Sequence, residues 1–137
     1  MILVSACLAG IRCNWKGMAS PSTFVIELVR NGQAIPICPE QLGGLTTPRK
    51  PAEQKGNCII TPDGIDLTIE YNRGAAEGLK IAQLFGCKKA ILKARSPSCG
   101  CGKVYDGSFS GKLITGDGVF AALLKLNGIE VITDEEL

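Results

Sequence analysis

The chain carries seven cysteines and not one histidine. Without imidazole there is no Ser-His-Asp triad, no Cys-His dyad and no His-based zinc site, so thiolates, carboxylates, hydroxyls and backbone amides must carry the chemistry. The segment KARSPSCGCGKVYDGSFSGKLITGDG, residues 93–118, sets Cys99 and Cys101 one residue apart in a Gly- and Ser-rich loop, with Ser96 and Ser98 beside them. Cys7 follows a short apolar run, and Cys38 opens Cys38-Pro39-Glu40, where a carboxylate accompanies the thiol. Paired C-x-x-C knuckles are absent, which disfavours a zinc ribbon and thioredoxin-type exchange. Soft thiolates with no imidazole among them point to iron-sulfur chemistry, whose ligands need no such spacing when they come from separate strands.

Those residues must be brought together by the elements around them. Ile2 to Ser5 reads as a strand that runs into a loop at Cys7 and Gly10, and Ala34 to Ile37 as a second strand ended by Cys38. Ala90 to Lys93 gives a third strand feeding RSPSCG, and Ile129 to Ile132 the last. Phe24, Val25, Leu28 and Val29 have helical spacing within Ser22 to Arg30, and Asn31-Gly32 stops that helix. Asn72 to Phe85 is a second helix, with Ala75, Leu79, Ala82 and Leu84 among its packed residues. Asp117 caps a third, which runs through Lys125 and carries Val119, Phe120, Leu123 and Leu124. Gly and Pro through QLGGLTTPRKPAEQKG preclude a long regular element and predict an ordered functional loop or an excursion. Cys58 to Ile60 and Ile65 to Ile69, joined by Thr61-Pro62-Asp63-Gly64, predict a small hairpin; Val104-Tyr105 and Phe109, flanking Asp106-Gly107, predict another.

This alternation predicts an α/β fold, a three-layer sandwich with a mainly parallel core sheet and a small β-hairpin excursion, as a single domain over residues 1–137. Parallel strands present all their C-terminal ends along one edge, where open α/β sheets bind ligands. Cys7, Cys38 and Cys99 then converge there, with Glu40 beside one and Ser96 and Ser98 beside another. Three-point ligation of a metal centre follows, with one coordination position left for substrate or water. Cys58 and Cys87 read instead as small hydrophobes in the packing. Cys13 and Cys101 stay open between a fourth ligand, a sulfur acceptor and a bystander.

Composition excludes other classes. Hydrophobic residues make up 45% and charged residues 20%, as in a globular chain. A net charge of +2, scattered Lys and Arg and only 5% aromatic residues give no nucleic-acid platform. No apolar run approaches the roughly 20 residues of a membrane span. The N-terminal MILVSACLAG lacks a basic leader and reads as a buried strand, so a cytoplasmic protein is expected. An odd number of cysteines in a reducing compartment argues against a disulfide framework.

The segments VSACLAG, PICPEQLGGLTTPRKPAE, RSPSCG and YDGSFSGKLITGDGVFAALLKLNGI resemble, in order and over nearly the whole chain, the thiouracil desulfidase (TudS) family, long catalogued as a domain of unknown function. The resemblance implies an oxygen-sensitive 4Fe-4S cluster held by three cysteines. It also implies conversion of C=S to C=O in a small thiolated pyrimidine or related thioamide without net redox change, the sulfur being captured on the open iron. By motif the ligands correspond to Cys7, Cys38 and Cys99, the acid/base to Glu40, and the assisting hydroxyl to Ser96 in preference to Ser98. Cys101 lies outside the SPSCG motif, and Cys13, in the extended first motif, receives no role. In chemical terms, an open iron is a Lewis acid for a soft thione sulfur, and a water activated by Glu40 and oriented by Ser96 attacks the polarised carbon.

Two other readings use the same residues. An Fe-S or metal carrier needs the three cysteines but neither Glu40 nor Ser96, and a cluster-free persulfide relay accepts sulfur on Cys101 or Cys13. Glu40 has its own alternative, an ion pair with Arg49 or Lys50. Arg49 and Glu53 either order a substrate loop or pair with each other. Gly43-Gly44 and Gly100 to Gly102 either present amides to cluster sulfides or substrate oxygens or form tight turns. GDGVFAALL reads as an ordinary helix cap in preference to an anion site.

Overall fold

The computed structural model describes residues 1–137. Four short strands, β1 (Ile2–Ser5), β2 (Ala34–Ile37), β5 (Lys89–Leu92) and β8 (Glu130–Thr133), form one sheet in the order β2-β1-β5-β8. Every pairing in it is parallel, with Ile2 opposite both Ala34 and Lys89, and Lys89 opposite Glu130. Pro36 lacks a backbone donor and is tolerated because β2 lies at the sheet edge.

Side chains alternate across this sheet, so each strand feeds two cores. Leu3, Ala90, Leu92 and Val131 pack on one face against the helices α3 (Thr68–Leu84) and α4 (Val119–Leu126), through Ala75, Ala82, Phe120, Ala121 and Leu124. Val4, Ala34 and Ile91 pack on the other face against Val25 of α1 (Thr23–Arg30) and against Leu8 and Cys13. Helices therefore cover both faces, giving the three-layer α/β arrangement expected from the alternation. Ser22 caps α1, its hydroxyl accepting from the Val25 amide at 3.4 Å. No helix is long and apolar enough to cross a membrane.

The excursion differs from expectation. The strand β4 (Cys58–Ile60) pairs antiparallel with the polar β3 (Glu53–Lys55) through a two-residue turn. Gly56, at φ 60°, supplies the left-handed conformation such a turn asks of its first central residue. The expected pairing of β4 with the Ile65–Ile69 run is confined to one antiparallel bridge, Ile60 opposite Asp66, where the Leu67 amide donates to the Ile59 carbonyl at 2.8 Å and the Thr61 amide to that of Ile65 at 3.0 Å. The pairing stops there because Asp66 Oδ1 accepts the Thr68 amide at 2.9 Å and turns the chain into α3, which takes Thr68 and Ile69. A second hairpin joins β6 (Lys103–Tyr105) to β7 (Leu113–Thr115), so Phe109 lies in its loop. Leu84 is 82% exposed at the end of α3, outside the core. Cys58 is exposed on its hairpin, whereas Cys87 is buried among α3 and α4. Asp117 does not cap α4: its carboxylate accepts the Gly102 amide at 2.8 Å and pairs with Lys125. The first amides of α4 go instead to loop carbonyls, Val119 to Pro97 and Phe120 to Ser98, both at 2.9 Å.

The short helix α2 (Pro39–Leu42) is pressed against α3 backbone to backbone. A Cβ on Gly43 would lie 2.0 Å from the Glu70 carbonyl oxygen, and one on Gly74 1.8 Å from that of Pro39. Only glycine fits at either position, and the contact sets the height of α2 over the sheet edge. Gly74→Ala forces the two backbones apart and should lower the melting temperature by about 6 °C or more. Gly116→Ala meets nothing closer than 3.4 Å and should stay within about 2 °C of the parent. Thermal melts followed by circular dichroism check both.

Candidate functional site

Chain order reverses between β1 and β5: from β1 the chain moves outward to β2, then crosses back to β5 and on to β8. Such a switch point opens a crevice at the carboxyl ends of the strands. A cavity of about 460 Å³ lies there. Its lining includes Cys7, Cys13, Cys38, Cys99, Glu40, Ser96 and Tyr71. Cys7, Cys38 and Cys99, selected from separate strand ends, thus share one cavity, and Cys13 joins them.

Each thiol has its own local support. Cys7 sits in the 3-10 turn Ala6–Ala9, closed by Gly10 at φ 92°. Cys38 is the residue before Pro39, which starts α2. Cys99 belongs to a tight turn in which the Ser96 hydroxyl accepts the amides of Ser98 and Cys99 at 3.2 and 3.0 Å. Gln54 braces that turn by donating to the carbonyls of Pro97 and Asp117 at 3.0 and 2.9 Å. Ser5 Oγ accepts the Lys93 amide at 2.9 Å and stitches the ends of β1 and β5 together.

Burial sets the thiols' protonation. It pushes the Cys7 thiol up to about 11 and the Cys99 thiol up to about 12. The Cys13 and Cys38 thiols share one neighbourhood, the Cys38 thiol donating to the Cys13 carbonyl at 3.8 Å, and their interaction draws Cys38 below the usual cysteine range and drives Cys13 above it. All seven cysteines are free, and no group of three His, Cys, Asp or Glu side chains closes on a single metal ion. Cys101 lies off the cavity, its thiol donating to the Val131 carbonyl at 3.8 Å.

Glu40 stands in the first turn of α2 and accepts three hydrogen bonds. Tyr71 donates to Oε1 at 2.8 Å, Arg49 Nε to the same oxygen at 3.0 Å, and Ser98 to Oε2 at 3.1 Å. The ion pair is buried, with 7% of the Arg49 side chain and 15% of that of Glu40 exposed. Burial opposes the Arg49 charge, and the Glu40 carboxylate more than offsets it, holding the guanidinium above its usual range. Burial, reinforced by Glu40, drives the Tyr71 hydroxyl upward, so it remains a donor. A carboxylate has about four lone-pair sites, so one on Oε2 stays open. Ser96 stands one link further out, its Oγ 3.1 Å from that of Ser98.

The ion pair of Glu40 with Arg49, one of the expected alternatives, is present, and the other open pairings resolve around it. Arg49 pairs with Glu40 and not with Glu53, whose carboxylate accepts the amides of Gly107 and Phe109. Lys50 pairs with Asp63. The amides of Gly43, Gly44 and Gly100 are spent on the carbonyls of Pro39, Gln41 and Ser96, so these glycines form turns and no anion nest. Sequence reasoning missed Tyr71 and the direct Ser98 contact. A tyrosine hydroxyl on a buried helix face always requires a partner, the one signal that pointed there.

The profile of the 2-thiouracil desulfurase family matches residues 2–136. The chain belongs to this family. It is 47% identical over 147 aligned positions to "Uncharacterized protein YbbK" of Bacillus subtilis (strain 168), with 100% of this chain and 97% of that protein covered. A solved structure of the [4Fe-4S]-dependent thiouracil desulfidase TudS superposes with a TM-score of 0.94 at 41% identity, covering 99% of this chain and 91% of the other. The desulfurase fold thus extends over the whole sheet and both hairpins.

The buried pair in this desulfurase-family chain has a measurable coupling. Arg49→Ala leaves Glu40 buried without its counter-charge and should cost about 3–5 kcal/mol in denaturant unfolding. In a Glu40→Gln background the same substitution should cost at least about 1 kcal/mol less, as a double-mutant cycle reads directly.

Proposed function

We propose that this chain replaces the C=S of a small thiolated pyrimidine or related thioamide by C=O, without net redox change, using a 4Fe-4S cluster held by Cys7, Cys38 and Cys99. One observation carries the reading: thiols from three separate strand ends line the same cavity as a buried, triply hydrogen-bonded carboxylate. Family membership and the likeness to a [4Fe-4S]-dependent thiouracil desulfidase support it.

The residues fit such a group. The donors are soft, free and histidine-less and line one cavity, the ligand chemistry of an iron-sulfur group. The protons that burial keeps on Cys7 and Cys99 are released when a cation binds the sulfurs. When bound, the cluster supplies a Lewis-acidic iron without a protein ligand, suited to a thione sulfur.

The chain's own groups do the proton work. Glu40 takes a proton from water through the open lone pair of Oε2 as the water oxygen adds to the thione carbon. Arg49 and Tyr71 hold the other oxygen, so the carboxylate cannot rotate away. Ser96 donates to Ser98 and Ser98 to Glu40, a hydroxyl chain that joins the cavity wall to the base. Glu40 then returns that proton to the sulfur and takes up the proton of the added hydroxyl as the C–S bond breaks, so that thione plus water become carbonyl plus hydrosulfide, with the second proton left on Glu40 for release. A reducing, cytoplasmic setting suits seven unpaired thiols.

Anaerobic purification with iron and sulfide quantitation is the test. About four irons per chain and broad thiolate-iron absorption are expected for the parent. Cys7→Ser, Cys38→Ser and Cys99→Ser should each lose the cluster, and Cys58→Ser should keep it. Glu40→Gln should retain the iron and lose about 10²–10⁴-fold in desulfuration rate. A folded protein that stays colourless after reconstitution defeats the proposal, a cluster-loaded parent that desulfurates no thione assigns the residues to a carrier, and an unchanged rate in Glu40→Gln removes Glu40 as the base.

A further inference from the structure

We infer that Trp15 is the platform on which the substrate ring stacks, so that the cavity selects planar heteroaromatic thiones over acyclic thioamides. The inference rests on the desulfidase reading of this cavity and names what that reading leaves open, the group that recognises the ring.

Trp15 is the chain's single tryptophan and lines the cavity beside Cys13. It is 44% exposed and belongs to none of the three buried apolar clusters. Core packing therefore does not account for an indole at this position, although so large an apolar ring is costly to leave in water. The loop that carries it is nonetheless rigid. Asn14 Oδ1 accepts the amides of Lys16 and Met18 at 3.0 and 2.8 Å, and the Asn14 amide donates to the Met18 carbonyl at 3.1 Å. Lys16 Nζ lies 5.0 Å from the indole centroid, a cation–π contact that steadies the ring.

The link to the base is direct. The Trp15 carbonyl accepts the Arg49 amide at 2.9 Å, and the Arg49 guanidinium donates to Glu40 Oε1 and, through Nη2, to the Cys13 carbonyl at 2.9 Å. One arginine thus fixes the indole-bearing loop and the carboxylate relative to each other. A flat ring laid on the indole would be held at a set distance from the base, as attack on one ring carbon demands. Tyr71, also on the cavity wall, spends its hydroxyl on Glu40. Pyrimidines offer a whole ring face to such a surface whatever their substituents, and an acyclic thioamide offers no ring to stack.

The lone tryptophan reports on its own occupancy. Fluorescence of the anaerobically purified, cluster-loaded protein should be quenched saturably by uracil and left unchanged by acetamide at equal concentration. Trp15→Leu should raise KM for 2-thiouracil about tenfold or more, with kcat within about threefold and iron content unchanged. Trp15→Phe should recover most of the loss, and turnover of thioacetamide, where measurable, should be the same in all three proteins. Unchanged emission with uracil, or a KM within about twofold in Trp15→Leu, overturns the inference. Should the protein desulfurate no thione, the desulfidase reading fails, while the uracil titration of the same protein still decides whether Trp15 stacks on a ring.

Discussion

Parallel pairing of β1 with β2 on one side and β5 on the other is the constraint from which the site follows. Because the strands run the same way, the residues leaving them emerge at one edge, and the reversal of chain order between β1 and β5 keeps a helix from filling the gap there. Ser5 closes the seam with its bond to the Lys93 amide. Had either neighbour of β1 been antiparallel, Cys7 and one of the other two thiols would have left the sheet at opposite ends.

Within that crevice Arg49 acts as the tie. Its guanidinium reaches Glu40, Thr46, Thr47 and the Cys13 carbonyl, joining the α2 carboxylate to two loops that have no regular structure of their own. A buried arginine is tolerable because its donors are occupied and a carboxylate balances its charge. The α2–α3 backbone contact and the turn held by Ser96 and Gln54 complete the frame from the opposite side. Loops carry most of the cavity wall, and hydrogen bonds to backbone groups replace the order that helices and strands would otherwise provide.

Much of this was legible in the sequence for a physical reason. The four core strands are short apolar runs bounded by turns, a pattern that buried parallel strands impose, and their positions alone placed Cys7, Cys38 and Cys99 on one edge. What stayed hidden lacked a local signature. Glu53–Lys55 is a polar triplet whose strand character comes only from its partner across the Gly56 turn. Asp117 precedes a helix, as a capping residue would, yet the carbonyls of Pro97 and Ser98 reach the first amides and leave it to Gly102 and Lys125. The pairing of Glu40 with the nearby Arg49 was open to sequence reading, but Tyr71 and Ser98 reach that carboxylate from distant segments, and no spacing rule joins them to it.

The same dispersal has a consequence for how the protein comes into being. Residues 7, 38 and 99 share no cavity until β5 has paired with β1, and β5 lies well past the middle of the chain. A nascent polypeptide that has exposed Cys7 and Cys38 but not Cys99 cannot yet offer the proposed three-point site. Under the proposed ligation by Cys7, Cys38 and Cys99, loading acts late, on an already folded molecule, and locks it afterwards, since whatever bridges the three thiols must be released before the sheet can come apart.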